Sequence, residues 1–132
     1  MPEKAKGHFT AALGKWELVI NRLPETPHAT ACAYHYAGLC NRCLNRLDVA
    51  TKYFQVVVDR WPEYEYAWHL QYLVGRTLDY RKESGEISAS EAVSMIKAAY
   101  EQLLVKYPGC PAARSARNSL VMYANARKGG DQ

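Results

Sequence analysis

Apolar residues recur along most of this chain at offsets of three and four, the period of a helix with one buried face. Phe9, Ala12, Leu13, Trp16, Val19, Ile20 and Leu23 share one face of a helix predicted over 7–23. A second helix, predicted over 28–45, is rich in small residues such as Ala29, Ala33, Ala37 and Gly38, which let a neighbour come close. Thr26 is expected to cap it and Pro27 to fill its first position. Ala50, Phe54 and Val57 mark a third helix, with Asp48 as its expected cap and Trp61-Pro62 as its end. The fourth, over 63–82, is aromatic, with Tyr64, Tyr66, Trp68, Tyr72 and Tyr80. Gly75 lies inside it, where glycine costs on the order of 1 kcal/mol relative to alanine. That predicts a packing reason, a neighbouring helix passing over the spot. Ser88-Ala89-Ser90-Glu91 has the offset of a capping box and opens a helix predicted over 88–107. The last helix, over 112–127, turns Ala113, Ala116, Leu120 and Tyr123 inward. Residues 1–6 and 128–132 read as a disordered N-terminus and a flexible tail around a helical domain at 7–127. Val56-Val57-Val58 is too short for a strand and lies inside a helical period.

One spacing occurs three times. Ala50-x3-Phe54-x2-Val57-x4-Pro62 is matched by Ala12, Trp16, Val19 and Pro24, and by Ile96, Tyr100, Leu103 and Pro108. The first three side chains of each copy share a helical face, and the proline ends the helix because it lacks an N–H and crowds the preceding turn. Trp16, Phe54 and Tyr100 are therefore expected at equivalent interior positions. A helix repeated with its own stop predicts stacked helical hairpins.

This pattern resembles the tetratricopeptide repeat, whose second helix carries Ala, an aromatic four later, a small or aliphatic residue three after that, then Pro. The resemblance spans residues 7–127. The prolines are 38 and 46 residues apart, against a usual repeat of about 34. Part of the excess lies after each proline: Ala37, Gly75 and Val121 each stand 13 residues beyond one. The rest is an insertion at 83–87. Such a lengthened turn, with Tyr107-Pro108 closing a repeat, looks like the subgroup found in bacterial envelope-assembly and Tol–Pal-associated proteins. The resemblance implies an all-α fold, a right-handed α-α superhelix of about six antiparallel helices. It also implies a non-enzymatic scaffold that holds a partner peptide or protein on its concave face. In this register Tyr34 and Tyr72 sit three before the small residues Ala37 and Gly75. Asn41, Arg42, Arg76, Asn118 and Asn125 project with them into the implied groove. Tyrosine offers flat area and a hydroxyl, while Arg and Asn can bond a peptide backbone or a carboxylate. The Lys/Asn pattern that clamps a C-terminal carboxylate in chaperone-binding members is absent. In family phase the chain starts with a second-type helix and finishes with a first-type one. The alternative is thus a structural segment of a longer array, or a unit that self-associates end to end through helix 1 or helix 6.

Composition narrows the remaining classes. With 132 residues, 48% apolar and 23% charged, the chain has the make-up of one soluble domain. No stretch approaches the 18 or so continuous apolar residues of a membrane span. The net charge of +4 is mild and spread along the chain, and no recognition motif accompanies it, so nucleic acid is not argued for. The N-terminus shows no apolar signal core and the four cysteines lack the spacing of a small secreted scaffold, which suggests a cytoplasmic chain. A periplasmic or envelope domain of a longer exported protein would read the same way. Cys40-x2-Cys43 has no second pair to complete a zinc site, and Leu44 stands where haem attachment needs histidine. Cys32, His28 and His35 face away from that pair by the helical period. No metal and no cofactor are expected. His8, His28, His35 and His69 accompany no nucleophile set, and no phosphate-binding loop appears, so no enzymatic activity is expected.

Overall fold

The computed structural model describes residues 2–22 and 27–130, and among them six helices and no strand. In chain order these are α1 (Glu3–Arg22), α2 (Pro27–Cys43), α3 (Leu47–Arg60), α4 (Ala67–Glu83), α5 (Ala89–Lys106) and α6 (Ala113–Gly130). None of them is long and apolar enough to cross a membrane. The expected stop at Pro24 and cap at Thr26 lie outside the described residues. α1 begins four residues before the predicted start: the Pro2 carbonyl accepts the Lys6 N–H at 3.0 Å, and Glu3 places a negative charge in the first turn. α6 likewise runs past residue 127 to Gly130.

The helices fall into two compact units, Met1–Leu70 and Gln71–Gln132. In the first, α2 packs against both α1 and α3. Phe54 is 0% exposed, and its ring lies over Gly38 of α2 so closely that a Cβ there would stand 2.6 Å from a ring carbon. Glycine at position 38 is what lets the two helices come that near. Leu13, Ala37 and Cys40 form a core cluster between α1 and α2, with Phe9, Ala12, Trp16, Ile20, Leu44 and Tyr53 packed against it. Trp16 differs from the interior role expected of it. It is only half-buried and stacks on Tyr36 at a centroid distance of 5.1 Å, on the rim between α1 and α2.

Helix ends follow local chemistry. α2 closes with Asn45 in the left-handed region (φ 61°), while the Arg46 N–H reaches the Asn41 carbonyl at 2.8 Å and the Asn45 N–H reaches that of Arg42 at 3.0 Å. Arg46 precedes the first residue of α3 and gives no side-chain cap. Asp48 is thus not a cap; it lies inside the first turn, where its charge suits the helix dipole. α3 ends at Trp61, whose N–H bonds the Val57 carbonyl at 2.7 Å. Two tight turns follow, Tyr64 N–H to Trp61 and Ala67 N–H to Tyr64, both 2.9 Å. α4 therefore starts at Ala67 and not at residue 63, and Tyr64 and Tyr66 belong to the turn.

The second unit repeats these devices. Tyr100 of α5 is 3% exposed, and a Cβ on Gly75 of α4 would stand 2.3 Å from its ring. The buried Gln71 amide donates to the Ala99 carbonyl at 2.9 Å, a second tie between α4 and α5. Gly85 (φ 79°) closes α4 as Asn45 closes α2, with Glu86 N–H on the Arg81 carbonyl at 2.9 Å. Ser88 caps α5 by accepting the Glu91 N–H at 3.3 Å, as its sequence predicts. Tyr107 ends α5 with its N–H on Leu103 at 2.7 Å, and the turns Cys110 to Tyr107 and Ala113 to Cys110 copy those after Trp61. α6 packs on α5, burying Ala113 and Ala116.

The ring contacts show which positions of the two hairpins correspond. The counterpart of Gly75 is Gly38 and not Ala37, one residue later than the proline spacing implies. Tyr100 follows its glycine by 25 residues and Phe54 by 16. The difference is not confined to 83–87. α4 runs about a turn further beyond its glycine than α2 does, and α5 starts about a turn further ahead of its ring than α3 does.

The open space at Gly14 and the filled space at Gly75 give opposite outcomes for one substitution. Gly14→Ala is expected to stabilise the chain by up to about 1 kcal/mol, the helix-propensity gain, because nothing lies within 4 Å of the added methyl. Gly75→Ala is expected to destabilise by about 1–3 kcal/mol, since a buried ring must shift. Denaturant unfolding of the two variants checks the signs.

Candidate functional site

The residues that the family register projects into one groove divide between the units, Tyr34, Asn41 and Arg42 in the first and Tyr72, Arg76, Asn118 and Asn125 in the second. Asn41 lies in the core and not on an open face. It is 2% exposed and spends its amide on the Ala37 carbonyl at 2.8 Å. Tyr34 is half-buried in the joint of the α2–α3 hairpin, edge-on to Tyr53 at 5.5 Å and tilted against Trp61 at 5.9 Å. The register shift explains both. Tyr34 is four before its glycine and Tyr72 three before its own, so the two tyrosines are not equivalent. Arg42 is half-buried, and its charge is felt by His69.

What the first unit assembles instead is a ring cluster around His35. The imidazole is 6% exposed and lies parallel to Tyr36 at 4.7 Å, and Tyr36 stacks on Trp16. Tyr64 meets it edge-on at 5.8 Å with its hydroxyl 3.0 Å from His35 Nδ1, and Tyr66 tilts against it at 5.6 Å. Burial first, and the neighbouring His69 second, push the His35 pKa down to about 4. Burial also lowers His69, with Arg42 adding to the effect. Burial raises the Tyr64 hydroxyl, and the Cys32 thiol beside it acts in the same direction. The cluster ties α1, α2 and the 61–66 turn together. The sequence hid it because Tyr64 and Tyr66 read as helical, which aims their rings elsewhere.

The second unit gathers tyrosines around a charged pair. Tyr72 stacks on Tyr100 at 5.9 Å. Arg76 is exposed, its guanidinium carbon 5.8 Å from the centre of the Tyr80 ring. The Tyr80 hydroxyl holds the Arg76 charge most strongly, partial burial opposes it, and Tyr72 and Tyr100 add to the effect of Tyr80. One turn on, Asp79 accepts from the Tyr123 hydroxyl at 3.3 Å and pairs with Lys82 at 3.1 Å. Lys82 in turn lies 5.3 Å from the Tyr123 ring centre. Burial, then Tyr72, push the Tyr100 hydroxyl up, while Arg76 pulls the other way. Tyr123 also borders an open groove of about 880 Å³ along Ala89, Val93, Lys97 and Glu101 of α5. Asn118 and Asn125 are exposed on α6. Of the seven expected residues, Tyr72 and Arg76 are thus shown in one cluster. Tyr80, Asp79, Lys82, Tyr100 and Tyr123, outside those seven, join them. Offsets of four, five and seven after Gly75 were the available signal for Asp79, Tyr80 and Lys82.

Among the described residues, no three His, Cys, Asp or Glu side chains are disposed to hold a metal ion, and Cys32, Cys40, Cys43 and Cys110 are free thiols. Cys40 is buried in the α1–α2 core, which raises its pKa. Compared with protein-family models and with curated proteins, the chain gives no match to either.

His35 makes the first unit sensitive to acid. The unfolded chain takes up this proton near pH 6.5 and the folded chain only near pH 4. Stability is therefore full above pH 6.5 and falls as pH drops toward 4, by about 1–3 kcal/mol after allowance for solvent screening. Urea midpoints followed from pH 7.5 to 4 check this. His35→Phe is expected to reduce the slope of the profile between pH 6.5 and 5, above the range where carboxylates titrate, leaving the contribution of His69.

Proposed function

We propose that this chain is a tetratricopeptide-like scaffold, a short right-handed stack of helical hairpins that binds a partner protein without chemistry of its own. The repeated hairpin supports the reading. An aromatic ring sits over a helix glycine in each, and the same Trp-Pro or Tyr-Pro turn closes the helix that supplies the ring. The observation that carries a binding role is the face of α4 bearing Tyr72, Arg76 and Tyr80. Tyrosine and arginine are the residue types that dominate interface energetics, and here Arg76 and Tyr80 are exposed on a rigid helix. Extended peptides lie well on such surfaces because hydroxyls and guanidinium groups reach both backbone and side-chain oxygens.

A second reading, self-association or membership of a longer array, draws on a different observation. Ala12, Trp16 and Val19 of α1 are half-buried, whereas Ala50, Phe54 and Val57, at the same offsets in α3, are fully buried. A face left half-covered is where a further helix would add. Light scattering after size exclusion separates the two. A mass of 14.9 kDa that does not change with concentration supports the first, and growth with concentration that Trp16→Glu abolishes supports the second.

For the binding face, Arg76→Glu and Tyr80→Ala are expected to weaken partner capture by at least about tenfold, or ~1.4 kcal/mol. Both residues are exposed, so thermal unfolding of the variants should match the parent. Full retention of every captured protein by both variants would remove this face from the reading.

A further inference from the structure

The tyrosine cluster of the second unit says something about the chemistry of its ligand, granted the scaffold reading above. Arg76, Asp79 and Lys82 are its charged groups, and two of them satisfy each other: Lys82 pairs with Asp79 at 3.1 Å, and Asp79 also accepts from Tyr123. No carboxylate among the described residues pairs with Arg76. Its guanidinium is held over Tyr80, with the side chains of Tyr72 and Tyr100 close enough to act on its charge. The result is an exposed guanidinium held among Tyr72, Tyr80 and Tyr100.

We propose that this face binds an extended acidic segment of a partner protein, seating one Asp or Glu side-chain carboxylate on Arg76 among the tyrosine hydroxyls. Charge matching selects the carboxylate. Arg76, Lys82 and Asp79 together carry one net positive charge, which a single carboxylate neutralises. A phosphate at nearly −2 would leave an excess negative charge next to Asp79. A nucleic-acid backbone needs several phosphates met at once, and the fixed negative charge of Asp79 opposes it. Geometry agrees, because a planar carboxylate can take two parallel bonds from a guanidinium, and that of Arg76 is held beside the Tyr80 ring. Tyr72 and Tyr80 offer ring area to the residues on either side of the carboxylate, and Tyr123 leads toward the groove along α5.

The test is selection of a displayed random peptide library on the full chain, followed by fluorescence anisotropy with labelled, C-terminally amidated peptides. Amidation leaves only side-chain carboxylates to be read. Enrichment of acidic sequences is expected, together with a loss of roughly tenfold to a hundredfold when the key Glu or Asp becomes Gln or Asn. Arg76→Gln should lose as much, Arg76→Lys less because the charge remains without the fork, and raising salt should weaken the parent peptide but not its amide form. Selected peptides that bind equally well as amide forms, or equally well to Arg76→Gln, would overturn the acidic-ligand inference and leave the scaffold reading standing. Tighter binding of phosphorylated peptides or of single-stranded RNA would also overturn it. Enrichment of no peptide at all would sink both.

Discussion

A ring seated where a glycine has no side chain is the contact on which this structure depends. Phe54 over Gly38 and Tyr100 over Gly75 bring the two helices of each hairpin closer than any side chain at those positions would allow. The glycines weaken their own helices by about 1 kcal/mol each. Burial of a phenyl or phenol ring, with its 150 Å² or more of surface, outweighs that. Other features follow from the close approach. The cores of the hairpins are built from Ala50, Val57, Ile96 and Leu103 on the same faces as the rings, and the Trp61-Pro62 and Tyr107-Pro108 turns end each ring-bearing helix at the same distance from its ring.

The helices were legible because their signals are local. Period, the stops at Pro62 and Pro108 and the Ser88 cap each depend on a few neighbouring residues, and the structure keeps them. The two ring positions were legible for the same reason, since Ala50 to Pro62 and Ile96 to Pro108 share one spacing. Register between helices was not. Counting from prolines assumes equal turns, yet α2 begins three residues after Pro24 while α4 begins five after Pro62. One residue of error turns a helix by about 100°, enough to send Asn41 from an implied groove into the core. The 61–66 turn was misread because nothing in Glu63-Tyr64-Glu65-Tyr66 forbids helix. What holds it is the pair of turn bonds from Tyr64 and Ala67 and the tertiary pull of His35 on both tyrosines.

Two kinds of aromatic assembly result, and they differ in what they leave free. Around His35 the rings satisfy one another: Tyr36 stacks on both Trp16 and His35, Tyr64 is bonded to the imidazole, and the neutral histidine is fixed by its surroundings. That cluster is structural, a joint between α1, α2 and a turn. Around Arg76 the rings hold a charge in place without neutralising it. The same residue type thus serves as mortar in one unit and as a lining for a charged group in the other. The difference lies in whether a cation without a carboxylate stands beside it.

The claim beneath all of this is that ring and glycine act as one unit. A double-mutant cycle on Gly38→Ala and Phe54→Leu measures it directly by urea unfolding. The account predicts that the added methyl is costly beneath the phenyl ring and nearly harmless beneath leucine, a coupling of at least about 1 kcal/mol. Strict additivity, with Gly38→Ala costing the same in both backgrounds, would contradict it.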